Sequence, residues 1–192
     1  MKEPAAPPVP PLAVLSLGVV AMSTGAIFAR MAEAEPLAIS FWRCAIAALA
    51  LAPLGAPRAP RELASLYLVA GRRLRERMSF ATYAALCYGL AALVLLALAL
   101  LAGTPLTGFE GETWLWLALC GLVPQLIGHS SANWALRWAT STLVAVSLLG
   151  EPIASTLLAL VVLGEVPEAG FLAGAPLLLG GILVTARAER RA

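Results

Sequence analysis

Seven stretches of this chain are almost free of charged residues, and six of them are long enough to cross a lipid bilayer. A hydrocarbon core about 30 Å thick takes about 20 apolar residues of helix. Residues 12–29, 36–54, 80–101, 114–136, 141–163 and 169–186 meet that length. The seventh, residues 63–70, is too short to span, because eight helical residues rise only about 12 Å. With 60% hydrophobic and 12% charged residues over 192 positions, no stretch is left for a separate soluble domain. The fold class is therefore all-α: a polytopic transmembrane helix bundle of six full spans and one short partial helix. The run 12–29 reads as the first span rather than a secretory signal, since its flank is nearly neutral and further spans follow.

The placement of cations sets the orientation. Lys and Arg near span ends are retained on the cytoplasmic side. Alternate turns hold Lys2, then Arg58, Arg61, Arg72, Arg73, Arg75 and Arg77, then Arg137, then Arg187, Arg190 and Arg191. The opposite turns hold only Arg30, with Glu33, Glu35, Glu110, Glu112, Glu165 and Glu168. Both termini are expected in the cytoplasm, and residues 63–70, flanked by arginines on both sides, enter and leave from that one face. A net charge of only +2 argues against nucleic acid as a partner. The partners expected are the bilayer and a small-molecule substrate.

Three ionisable residues lie well inside spans, namely Arg43, His129 and Glu151. Charge there is disfavoured by several kcal/mol, so such groups usually face the bundle interior or a cavity. Glu151 lies near the middle of its span and is followed by Pro152, which has no N–H for the carbonyl of Leu148. The pair makes a polar notch at the depth where transporters commonly bind substrate. Glu151 is read either as a substrate-contacting or proton-carrying carboxylate, or as a glutamate that steadies the kink. Gln125, His129 and Asn133 are spaced i, i+4, i+8 and would share one face of an α-helix, lining a wet path or bonding neighbouring helices. Arg43, about 10 Å deep, either snorkels outward or pairs with Glu33, Glu35 or a substrate anion. Ser147 completes the substrate-binding set. Ser23 and Thr24, and with them Ser141, Thr142 and Ser147, are expected to bond their own helix more often than a ligand, and Gly170 with Gly174 to let the last helix approach a neighbour closely. Trp134 and Trp138 are expected as interfacial anchors.

Cys44, Cys87 and Cys120 each sit in an apolar run and read as buried packing residues, with no disulfide and no metal expected. The chain has no G-x-S-x-G, H-E-x-x-H or phosphate-loop pattern and no Asp, so an enzyme is not expected, nor a cofactor.

The segment from Ala135, with Gly150-Glu151-Pro152 in the penultimate helix and Leu163-Gly164-Glu165 at its end, resembles the last two helices of the EamA-type family in the drug/metabolite transporter superfamily. PLAISFWRCAIAALALAPL, from Pro36, resembles the family's second helix, Arg43 included. SLYLVAGRRLRERMSFATYAALCYGL, from Ser65, resembles the end of its sixth helix, the basic loop and the seventh. The resemblance implies a ten-helix fold of two inverted repeats from which helices three to five and most of six are absent. It divides the chain into a cytoplasmic Pro-rich tail (1–11), a two-helix remnant of the first repeat (12–56), a basic cytoplasmic segment with a partial helix (57–79, helix 62–72), a second repeat of four helices (80–187) and a cytoplasmic tail (188–192). It also implies a multi-pass inner-membrane transporter that exports small amino-acid-like or amphipathic metabolites by alternating access. The alternative is a truncated, transport-inactive protein that packs as a homodimer or accessory subunit.

Overall fold

The computed structural model describes residues 7, 9–55 and 79–189. The expected partial helix 62–72 and the basic segment around it lie outside the described residues. Every regular element among the described residues is helical: α1 (Pro11–Met31), α2 (Pro36–Gly55), α3 (Phe80–Ala102), α4 (Gly111–Cys120), a π-helical segment (Gly121–His129), α5 (Ser130–Ala135), α6 (Ser141–Leu148), α7 (Gly150–Leu163) and α8 (Ala169–Glu189).

Among the described residues, five helical stretches are long and apolar enough to cross a membrane: Pro11–Met31, Pro36–Leu54, Ala81–Ala102, Gly111–Ala135 and Thr142–Leu163. The sixth expected span is present as α8, but its apolar part, Gly170–Thr185, is shorter than the others. The helix continues through Arg187 to Glu189, so length is gained with charged residues.

Local chemistry explains the ends. Ser79 caps α3, its hydroxyl accepting the Thr82 N–H at 3.2 Å. The same helix stops at Gly103, whose φ of +70° lets Thr104 N–H reach back to the Ala99 carbonyl at 2.9 Å. Thr140 caps α6 by accepting from Leu143 N–H at 3.2 Å.

Two spans are interrupted. Residues 114–136 are not one α-helix, because the π segment Gly121–His129 separates α4 from α5. In an α-helix the ring of Pro124 would press on the Cys120 carbonyl four residues back; the wider i→i+5 turn moves that carbonyl aside. The second break falls at Leu149, between α6 and α7, where Leu149 N–H bonds Val146 O at 3.1 Å in a tighter turn. It adjoins Leu148, whose carbonyl Pro152 cannot bond, the turn expected to be disturbed.

The described residues form two compact units. In the first, running from Phe28 to Leu126, α2 and α3 pack along a seam of Ala47, Leu51, Ala84 and Tyr88. The two alanines bring backbones close, which is how helices associate in lipid without a hydrophobic driving force. At the other end of α2 an aromatic cluster closes the unit: Trp42 lies 4.9 Å edge-on from Trp114, Phe109 is 5.6 Å from Trp114, and Phe28 is 5.7 Å from Trp116. Trp42 Nε1 donates to Leu106 O at 2.8 Å, and Thr104 Oγ1 donates to Glu35 Oε2 at 3.0 Å. These bonds hold the start of α2 to the chain beyond the end of α3, as antiparallel neighbours require.

The second unit joins residues up to Ile27 with those from Ile127 onward. Its core is Leu15, Ala132, Ala135 and Val144, with Trp134 and Leu148 packed on it. Gly18 of α1 has no room for a side chain, since a Cβ there would lie 2.7 Å from Ser131 Cβ and 3.1 Å from Gly128 O. Close helix approach is therefore made here by Gly18 and Gly128. Gly170 and Gly174, expected in that role, have nothing within 4 Å of where a side chain would begin.

Candidate functional site

In the Phe28–Leu126 unit, the guanidinium of Arg43 is turned inward. Its Nε donates to Gln125 Oε1 at 2.9 Å, and Gln125 is only 8% exposed. Tyr88 Oη donates to the Gln125 main-chain carbonyl at 3.3 Å, so three elements, α2, α3 and the π segment, meet on one residue. Nothing in the spacing of the sequence singled out Tyr88. Gly121 makes the meeting possible, because a Cβ there would lie 2.7 Å from Ile46 Cβ and 3.3 Å from Arg43 O. The Arg43 side chain thus donates a charge-assisted hydrogen bond from Nε to a neutral amide. Of the carboxylates proposed for it, Glu35 receives the Thr104 hydroxyl.

The three-residue stripe does not form as read. Gln125 and His129 lie in the π segment and Asn133 in α5, so steps of four no longer stack on one α-helical face. Gln125 belongs to the first unit, and His129 and Asn133, both half-buried, belong to the second.

In the second unit Glu151 and Ser147 flank the break at Leu149, and both are half-buried. Ser23 Oγ donates to Val19 O at 2.7 Å, the self-bond expected of it, and also lies 3.3 Å from the Glu151 main-chain carbonyl. The hydroxyl thus ties α1 to the first turn of α7. The Glu151 carboxylate itself has no hydrogen bond or ion pair among the described residues. Its placement in the first turn of α7 is the favourable one for negative charge.

Beside the break lies a pocket of about 310 Å³ whose wall includes Ser16 and Val19 of α1, Ser147 of α6, Gly150 of α7 and Ile182 of α8. Ser16 was not foreseen as a site residue, since a serine in an apolar helix carries no signal of what it faces.

Two further expectations are corrected. Only Cys120 is buried; Cys44 is half-buried and Cys87 exposed, because α3 turns one side away from its neighbours. Trp134 packs on the core, and Trp138 has its indole N–H buried with no partner among the described residues, as does the Ser130 hydroxyl. An interfacial anchor would instead keep that N–H in contact with water.

Apolar helices of bilayer length, interrupted inside the span and carrying polar groups there, define a multi-pass membrane protein. Residues 63–187 match the EamA-like transporter family, and the chain belongs to that family. No curated protein and no solved structure matches it.

Proposed function

We propose that the chain moves small amino-acid-like or amphipathic metabolites out of the cell by alternating access. The observation that carries this reading is the broken span at Leu149, with Glu151 and Ser147 on either side of it and a pocket against it. Discontinuous helices are a recurrent way to expose backbone and polar side chains to a solute at mid-membrane depth. On this reading the chain lies in the inner membrane, as the family resemblance implies, and the asymmetry of its arginines supports cytoplasmic termini at both ends. Six spans are assigned, α8 included, since a span a few residues short is accommodated by local thinning of the bilayer.

The substrate-facing residues proposed are Glu151, Ser147, His129 and Asn133 in one unit and Arg43 and Gln125 in the other. Glu151 carries the coupled proton or contacts the solute. The ten-helix inverted repeat, without helices three to five and most of six, remains the architectural reading, supported by a family match that begins at residue 63.

A second reading is favoured by one observation: no residue of α7 is buried. On that reading the chain is transport-inactive and covers this face with a second copy or another subunit.

Counterflow in proteoliposomes tests the pair. The intact chain should exchange a labelled amino acid or nucleobase, and Glu151→Gln should lower the rate at least tenfold. Absence of exchange by the intact chain, with a dimer in crosslinking, supports the inactive reading. Cysteines placed at positions 60 and 74 should label from the same side of the membrane if the topology is right.

A further inference from the structure

The pocket beside the helix break has a chemistry of its own. Among the described residues its wall is built from apolar side chains of α1 and α8 with two hydroxyls, Ser16 and Ser147, and no charged side chain of those residues lines it. Those two hydroxyls differ from others in the apolar helices. Ser23, Thr24, Ser40, Ser155, Thr156 and Thr185 each donate to a carbonyl three or four residues back in their own helix, at 2.7–3.1 Å. That self-bond is what serine and threonine do by default in such helices. Ser16 and Ser147 have no hydrogen-bond partner among the described residues, and both line this one pocket.

Size narrows the occupant. An apolar cavity of about 150 Å³ takes one benzene, and this pocket holds about 310 Å³, near the lower end of small-molecule sites. Gly150 keeps it open: a Cβ there would lie 3.5 Å from Val19 Cγ1 and 3.8 Å from Ile182 Cδ1, so anything longer grows into the space between α1 and α8.

We propose that this pocket binds an uncharged, mainly apolar solute of about two fused rings, held by a hydroxyl or amine between Ser16 and Ser147. An anion or cation is disfavoured because nothing in the wall offsets its charge in apolar surroundings. The proposal rests on the amphipathic half of the transporter reading and sets the amino-acid-like half aside, since a zwitterion carries charges this wall does not offset; binding itself needs no transport cycle.

Photolabelling of the full chain in lipid nanodiscs tests it, using a diazirine-bearing naphthol as probe and 1-naphthol as competitor. Saturable labelling is expected within residues 12–20 and 147–150, and excess 1-naphthol should remove it. Ser16→Ala with Ser147→Ala should weaken competition at least fivefold, and Gly150→Leu should abolish the saturable signal. Should Gly150→Leu fail to fold, the double alanine variant still decides, since it removes two oxygens and fills nothing. Labelling that does not saturate, that spreads over the exposed Val161 and Val162, or that ignores the alanines overturns the proposal. So does equal competition by 1-naphthalenesulfonate, which would make charge irrelevant, or displacement by a phospholipid alone, which would make the occupant an acyl chain. Saturable labelling without counterflow keeps the pocket and removes the transporter reading; counterflow without labelling does the reverse.

Discussion

The helix pair α2–α3 and the helix pair α7–α8 are built from much the same material and end up in different circumstances. The spans Ala81–Ala102 and Thr142–Leu163 are both long and apolar enough for a bilayer. Yet α2 and α3 bury Ala38, Ala47, Ala84, Tyr88 and Ala99 against neighbours, whereas neither α7 nor α8 buries a single described side chain. Hydropathy therefore says where a helix can live, and only small residues set against a partner say what it touches. Lipid is as apolar as leucine, so an uncovered face such as that of Val161 and Leu177 carries no penalty comparable to exposure in water. What distinguishes the first pair is close approach, reinforced by hydrogen bonds that cannot be replaced by solvent.

The largest effect that separates the two pairs should come from filling their glycines. Gly121→Val puts carbon atoms where Ile46 and the Arg43 carbonyl already stand, and overpacking of this kind destabilises by about 1–3 kcal/mol or more. Gly174→Val faces open space and should change stability by less than about 0.5 kcal/mol. Thermal unfolding in mild detergent reads both. Equal losses would mean that α8 is covered in the protein by something beyond the described contacts.

Next in size is the polar clamp. Removing Gln125 with Leu, or Arg43 with Ala, should lower stability by about 1.5–3 kcal/mol each, as expected for a hydrogen bond to a charged group within apolar surroundings. Because the two touch, the double variant should fall short of the sum by about 0.5–3 kcal/mol. An additive double variant would show that the 2.9 Å contact contributes nothing on its own. The indole bond at the aromatic end ranks lower: Trp42→Phe keeps the ring stack, loses the bond to Leu106 O, and should cost about 1 kcal/mol in the same melting assay.

These contrasts also mark how far the sequence can be read. The helices α2 and α3 are legible almost to the residue, because Pro36 opens one and Ser79 and Gly103 bound the other. The disturbance near Pro152 is legible because a missing N–H leaves the Leu148 carbonyl without its α-helical partner. The π segment is not: Pro124 announces a disturbance, but whether a helix answers by bending, breaking or widening depends on the space its neighbours leave, here set by Gly121 and Gly128. That choice displaces the polar stripe, since a face counted in steps of four exists only while the turn is α-helical. Glycine spacing misleads for a related reason. Gly170 and Gly174 have the textual pattern of a contact, while the contacts are made by Gly18 in α1 and by Gly121 and Gly128 in the π segment, none of them four residues from another. In the same way Arg43 was visible as a buried charge, but its partner Gln125 is 82 residues away and only folding pairs them.

The smallest expected effect bears on the broken span itself. Pro152→Ala supplies the N–H that the Leu148 carbonyl lacks and removes a ring from the turn, so it should leave stability unchanged or raise it by less than about 1 kcal/mol. Its consequence should be geometric. With the α-helical bond restored, α6 and α7 become one continuous rod, and the distance between spin labels at positions 145 and 158, read by pulsed electron spin resonance, should lengthen. Two other contacts hold the break in place: the Ser23 hydroxyl at the Glu151 carbonyl, and Gly150 against Val19. If the distance stays fixed in Pro152→Ala and lengthens only when Ser23→Ala is added, the notch is made by tertiary packing and proline merely tolerates it. If proline alone decides, straightening the span should move Ser147 and Glu151 relative to α1, and counterflow should fall without any loss of fold.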